Sequence, residues 1–105
     1  MAPPRQRLLM ISTLVFEQNL TEFDAAMYVW ANKDPKIAKQ VRKVTDMRLA
    51  FAGAAFAELG FEGDDLEMRT RVFLAHLSGE RHLFGPNKKT AQRHRELRLK
   101  MFLDE

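Results

Sequence analysis

The sequence predicts an all-α fold, a helical bundle of about five helices, on three observations. Apolar residues recur three and four positions apart through most of the chain, the spacing of one helix face. No stretch reads as a convincing strand. Breaks at Pro3-Pro4, Asn19-Leu20-Thr21, Asp34-Pro35, Gly60 to Asp65 and Gly85-Pro86-Asn87 cut the chain into pieces of helix length. A chain of 105 residues fits one domain over 1–105, with a radius of gyration of roughly 13 Å. With 46% hydrophobic and 30% charged residues, it has enough apolar surface to collapse and enough charge to stay in solution.

The first helix is expected over about Pro4 to Gln18, with Leu8, Ile11, Leu14, Val15 and Gln18 along one side. Thr21 then offers an N-cap hydroxyl, and Asp24, three residues on, complements the free amides and the helix dipole. The second helix runs to about Ala31 and presents Phe23, Met27 and Trp30 on one face; it is short, so packing must hold it. Asp34 before Pro35 is a strong helix start, because the carboxylate accepts from free amides and proline at the first position loses no needed donor. The third helix runs to Leu59, where Gly60 can take the left-handed C-terminal conformation and Phe61 can fold back on Phe56. The fourth starts at Asp64, with Glu67 as its capping partner, and ends near Phe84. A basic terminal helix follows Asn87.

A third helix of this length measures about 36 Å, as long as the domain is wide, and is therefore its spine. From Pro35 to Asp46 it is amphipathic, with Ile37, Val41 and Val44 inward and Lys36, Lys39, Arg42 and Lys43 outward. Beyond Met47 the polar side disappears, and a helix apolar on every side is buried on every side. Continuing the inward stripe through Phe51, Ala52, Ala55 and Leu59 leaves Leu49, Gly53, Phe56 and Ala57 on a second face. The fourth helix repeats this signal, with Leu66, Phe73, Leu77 and Phe84 on one side and Met68, Val72, Ala75, Gly79, His82 and Leu83 on another. Glycine inside a helix costs about 1 kcal/mol against alanine, so Gly53 and Gly79 call for close backbone approach in return. Two neighbouring helices with such second faces predict a two-fold, four-helix interface between copies of the chain. The alternative is that the fifth helix covers these faces from within the same chain.

Charge and residue types narrow the chemistry. The net charge is +3, yet up to Gly85 basic and acidic residues balance, 11 against 11, so the excess sits wholly in the last segment. There Lys88, Lys89, Arg93, Arg95, Arg98 and Lys100 face only Glu96, Asp104 and Glu105. That segment supports the rival reading, a small basic helical nucleic-acid-binding or protein-interaction module; a solvated charged face is the plainer account of it. Cysteine is absent, which excludes disulfides, thiolate zinc sites and a cysteine nucleophile. No apolar run approaches the roughly 18 residues of a membrane span, and a cytoplasmic protein with no membrane partner is expected. His76, His82 and His94 have no ligand spacing, and His76 reads as a hydrogen-bonded core or pocket histidine. No phosphate loop or nucleophile elbow occurs, so no enzyme activity, cofactor or metal is expected.

Val29-Trp30-Ala31 followed by Asp34-Pro35, then Val41 and Val44, Arg48-Leu49 and Glu58-Leu59-Gly60-Phe61, with Arg69 and the Leu77 to Gly79 end of the next helix, carry a resemblance. They resemble the C-terminal domain of tetracycline-repressor-type (TetR family) transcriptional regulators. Pro4-Arg5-Gln6-Arg7-Leu8-Leu9 is similar to the start of that domain's first helix, so the likeness covers nearly the whole chain. It implies that the third and fourth helices build a homodimeric four-helix bundle and that the first three helices enclose a pocket for an apolar small-molecule effector. The lining expected on that basis is Met10, Leu14, Phe23, Met27, Trp30, Met47 and Phe51, with methionine favouring an adaptable apolar cavity. Such regulators carry an N-terminal helix-turn-helix domain, for which these residues leave no room. DNA is therefore expected to be reached only indirectly, through a helix-turn-helix domain that these residues lack.

Overall fold

A computed structural model describes residues 2–18 and 20–105. The order of elements is α1 (Pro4–Glu17), α2 (Asp24–Ala31), α3 (Pro35–Glu58), α4 (Gly63–Phe84) and α5 (Lys88–Leu103), with no strand among the described residues. Asn19, in the break between the first two helices, lies outside the described residues.

Each helix starts or stops for a local reason. Pro4 and Pro35 occupy first-turn positions, where a missing amide costs nothing. Asp34 caps α3 by accepting from the Lys36 amide at 2.9 Å, and Asn87 caps α5 by accepting from the Thr90 amide at 3.0 Å. Gly60, at φ +103°, ends α3, and Phe61 turns back so that its ring meets Phe56 edge-on at 6.0 Å. Two expected caps do not form. Phe23, not Thr21, holds the N-cap position of α2, and Asp24 spends its carboxylate on Arg48 instead. Glu62 holds the N-cap of α4 without a side-chain bond, which displaces the expected pairing of Asp64 with Glu67.

Helix α3 runs through the middle, with α2, α4 and α1 packed around it, and α5 lies mainly along α1. Arg5 near the start of α1 reaches Glu96 and Glu105, whereas Glu17 at its end pairs with Arg95, so α1 and α5 run antiparallel. Phe56, Phe73, Leu8 and Leu99 are fully buried where α1, α3, α4 and α5 converge. Phe73 is the hinge of that core, meeting Phe56 at 5.4 Å and Phe102 at 5.1 Å, both edge to face at 84°. Arg7, buried on α1, is tied to Glu58 at the far end of α3. Arg69 fastens α4 to the end of the chain: it donates to the Phe102 carbonyl at 2.8 Å, pairs with Asp65 and Asp104, and lies over the Phe61 ring at 3.9 Å. The radius of gyration is 14.2 Å and the longest extent 41 Å, which α3 alone nearly spans.

The inward stripe of α3 differs from expectation at three places. Ala52 and Ala55 are buried, but Val44, Phe51 and Leu59 stand exposed. Phe56, expected on the outer second face, is instead fully buried. The register is set by the bulkiest partner available, and the Phe73 ring draws Phe56 inward, rotating the stripe by part of a turn. No helix among the described residues is long and apolar enough to cross a membrane.

Candidate functional site

Four helices leave an inner cleft between them. Ile11 and Val15 of α1, Leu20 and Thr21 of the following turn, Tyr28 of α2, Thr45 and Arg48 of α3, and Leu74, Leu77 and Ser78 of α4 enclose about 70 Å³. A second hollow of about 190 Å³ separates α2 from α3, walled by Asp24, Met27, Gln40, Val41 and Val44 and sharing Tyr28, Thr45 and Arg48. A third, wider one of about 380 Å³ opens outward past Leu49, Arg71, Leu74, Ala75 and Ser78. Tyr28 and Thr45 line all three, so they stand where the hollows meet.

The polar groups of this cleft are unequally satisfied. Arg48 donates to both carboxylate oxygens of Asp24, at 2.7 and 3.3 Å, and so ties α2 to α3. Thr21 is only 6% exposed, yet its hydroxyl has no hydrogen-bond partner among the described residues. A buried hydroxyl left in that state costs about 1–3 kcal/mol. Other buried hydroxyls of the fold are satisfied: Ser12 donates to the Leu9 carbonyl at 3.0 Å and Thr70 to the Leu66 carbonyl at 2.8 Å. The cleft wall is thus mostly apolar, with the buried Thr21 hydroxyl left unanswered among the described residues, the chemistry of a small-molecule site.

Of the seven residues expected to line a pocket, Met27 alone lines one of these hollows. Met10, Leu14, Phe23, Trp30, Met47 and Phe51 lie on the outside, with Phe23 72% exposed. On α1 the inward row is Leu8, Ser12 and Val15, with Ile11 beside it, which turns Met10 and Leu14 to the far side. On α3 the inward row reads Val41, Thr45, Arg48, Ala52 and Ala55, at spacings of four and three, leaving Met47 and Phe51 off it. Bulk is more visible than register in a linear sequence, so Thr21, Tyr28, Thr45, Arg48, Leu74 and Ser78 do not stand out there as cleft residues. The available signal was Thr45 and Arg48, two polar residues falling on the same row as Val41, Ala52 and Ala55.

The second face of α3 and α4 is open. Met68 is 64% exposed and Leu83 73%; Val72, Ala75, His82 and Ala57 are also exposed, and Leu49, Gly53 and Gly79 are half-buried. Gly53 faces Thr70 across the helix crossing, where an added Cβ would sit 3.7 Å from the threonine methyl. At Gly79 an added Cβ would meet nothing within 4 Å. Helix α5 does not roof this face, because it lies along α1. Within α5 itself the basic residues divide: Arg95 turns inward to Glu17 and Arg98 to His76, while Lys88, Lys89, Arg93 and Lys100 stay exposed.

No protein-family model matches the chain, and neither a curated protein nor a solved structure matches it.

Proposed function

We propose that the chain is the dimerising, small-molecule-sensing domain of a TetR-like transcriptional regulator, acting by rearrangement of helices and not by chemistry. The observation that carries this reading is the open apolar face of α3 and α4, where Met68, Val72 and Leu83 stand in water beside Leu49, Gly53 and Ala75. Burying one large apolar side chain is worth about 1.5–3 kcal/mol, so leaving a contiguous set exposed favours association. A two-fold partner presents the same set in return and closes both at once.

Ligand sensing draws support from the cleft. Its mostly apolar wall and the Thr21 hydroxyl, which has no partner among the described residues, suit a largely apolar effector bearing one hydrogen-bonding group. Helix α2 contains no buried residue and is held at the cleft by Arg48 and Asp24, so it is the element that yields to an occupant. Thr45 in the cleft wall and Leu49 on the open face are one turn apart on the same helix. A shift of α3 therefore moves both sites together, which is what coupling requires. Regulation of DNA then passes through a helix-turn-helix domain outside these residues.

Amide hydrogen exchange at increasing protein concentration tests this reading. Slowing confined to residues 49–57 of α3 and 68–83 of α4 is expected, with 88–103 unchanged. Exchange independent of concentration in all helices would overturn it.

A further inference from the structure

A second cleft lies on the opposite side of α4 from the open face, where the ends of α1 and α4 meet the start of α5. Its volume is about 130 Å³, with Phe16, Phe84 and Ala91 on the apolar side and Arg98, Thr90 and Glu80 on the polar side. Arg98 is the unusual member. Its guanidinium carbon lies 4.1 Å above the Phe16 ring, and its Nε donates to His76 Nε2 at 3.1 Å. Arg5, Arg7, Arg48, Arg69 and Arg95 all meet a carboxylate, but none lies within 4.0 Å of Arg98 among the described residues.

This leaves a half-buried cation facing a neutral acceptor. Burial first, and the neighbouring Arg98 second, hold His76 below the ordinary histidine pKa, so the imidazole supplies no charge. Burial likewise holds Arg98 below the usual arginine range. With Nε committed to His76, the two terminal nitrogens present their N–H groups as a planar fork, which matches the two oxygens of a carboxylate. The rest of the cleft sets the size of the ligand: about 150 Å³ of apolar cavity holds one benzene ring, and this cleft is slightly smaller and open at one end. Phe84, exposed at the lip, supplies a second aromatic wall. Glu80 in the same wall and Glu17 nearby already act on Arg98 from beyond ion-pair distance, so an anion entering the cleft meets some repulsion, less for a singly charged carboxylate than for a doubly charged phosphate.

We propose that this cleft binds a single-ring aromatic carboxylate, its carboxylate on the Arg98 fork and its ring against Phe16 and Phe84. The site shares no residue with the α3–α4 face and Val15 alone with the Thr21 cleft, and neither Arg98 nor Phe84 lines either of those places, so it stands or falls apart from the function proposed above. The test is a titration of the whole chain with benzoate and with benzyl alcohol, its neutral counterpart, followed by amide chemical shifts. Benzoate is expected to give saturable shifts at Gly85, Thr90 and Ala91, with benzyl alcohol at least about tenfold weaker. Arg98→Gln is expected to weaken benzoate about tenfold or more, the usual scale for losing one charged hydrogen-bonding pair. Because Arg98 also packs on Phe16, the exposed Phe84→Ala change serves as a second variant, expected to weaken benzoate several-fold while the fold is kept. Equal binding of the two compounds, shifts clustered at Tyr28 and Thr45 instead, or no saturable shift at tens of millimolar benzoate would overturn the assignment.

Discussion

Asp24, the first residue of α2, accepts two hydrogen bonds from the Arg48 guanidinium of α3, and this pair fastens a helix that buries none of its own residues. Both side chains are partly shielded, 16% and 29% exposed, so the pair is worth more than a surface contact. Asp24→Asn is expected to cost about 1–2 kcal/mol locally. Amide exchange within residues 24–31 should then accelerate about tenfold, with α4 unchanged. Uniform acceleration in every helix would mean that α2 is not an independent gate.

Thr21 gives a prediction of opposite sign. Its hydroxyl is buried without a partner among the described residues, so Thr21→Val removes an unsatisfied group while keeping the shape of the side chain. The variant is expected to be as stable as the parent or more stable, by up to about 1 kcal/mol, in urea unfolding. A loss of more than about 1 kcal/mol would show that the hydroxyl is already satisfied in the free protein.

Much of the fold was readable because local chemistry agrees with tertiary packing in it. Asp34-Pro35, Gly60-Phe61 and Asn87 act at the caps and turns in the way their side chains dictate, and the helix ends fall within a residue or two of the expected places. The cleft was not readable, because its position depends on the rotation of α1 and α3 about their own axes. That rotation is fixed by contacts between residues far apart in sequence, such as Phe56 with Phe73, and a small turn moves Met10, Met47 and Phe51 from the inside to the outside. Thr21 was equally hidden: as a sequence feature it is a good cap, and only the later helix start at Asp24 leaves its hydroxyl idle. That the outer face of α4 stands exposed was legible because small and apolar residues recur there at helical spacing, and among the described residues none covers Met68, Val72 and Leu83.

His76 makes stability depend on pH in a defined direction. Burial, and then Arg98, lower its pKa in the folded chain, so the unfolded chain binds the proton first. Stability therefore rises with pH from the lowered folded value up to the ordinary histidine value of about 6.5, and is constant in this respect above it. His76→Gln, which keeps an acceptor for Arg98, is expected to flatten this part of the profile. Urea midpoints measured between pH 5 and pH 7.5 check the point, and equal slopes in parent and variant would refute it.

Glu17 works in the acid range. Its side chain is 6% exposed and bonded to Arg95, which holds its pKa below the usual carboxylate value. A carboxylate lowered on folding stabilises above its unfolded pKa, and that contribution fades as pH falls through the folded value. Glu17→Gln should lower Tm by several degrees at pH 7 and by much less near pH 3. A difference that stays constant with pH would remove the ion pair from the explanation.

The proposed function requires a second copy of the chain over the open face of α3 and α4. Sedimentation equilibrium at micromolar concentrations measures this directly, with Val72→Glu, a change on that exposed face, as the comparison. Twice the chain mass is expected for the parent and a single-chain mass for the folded variant. A parent that sediments as one chain at tens of micromolar would contradict it.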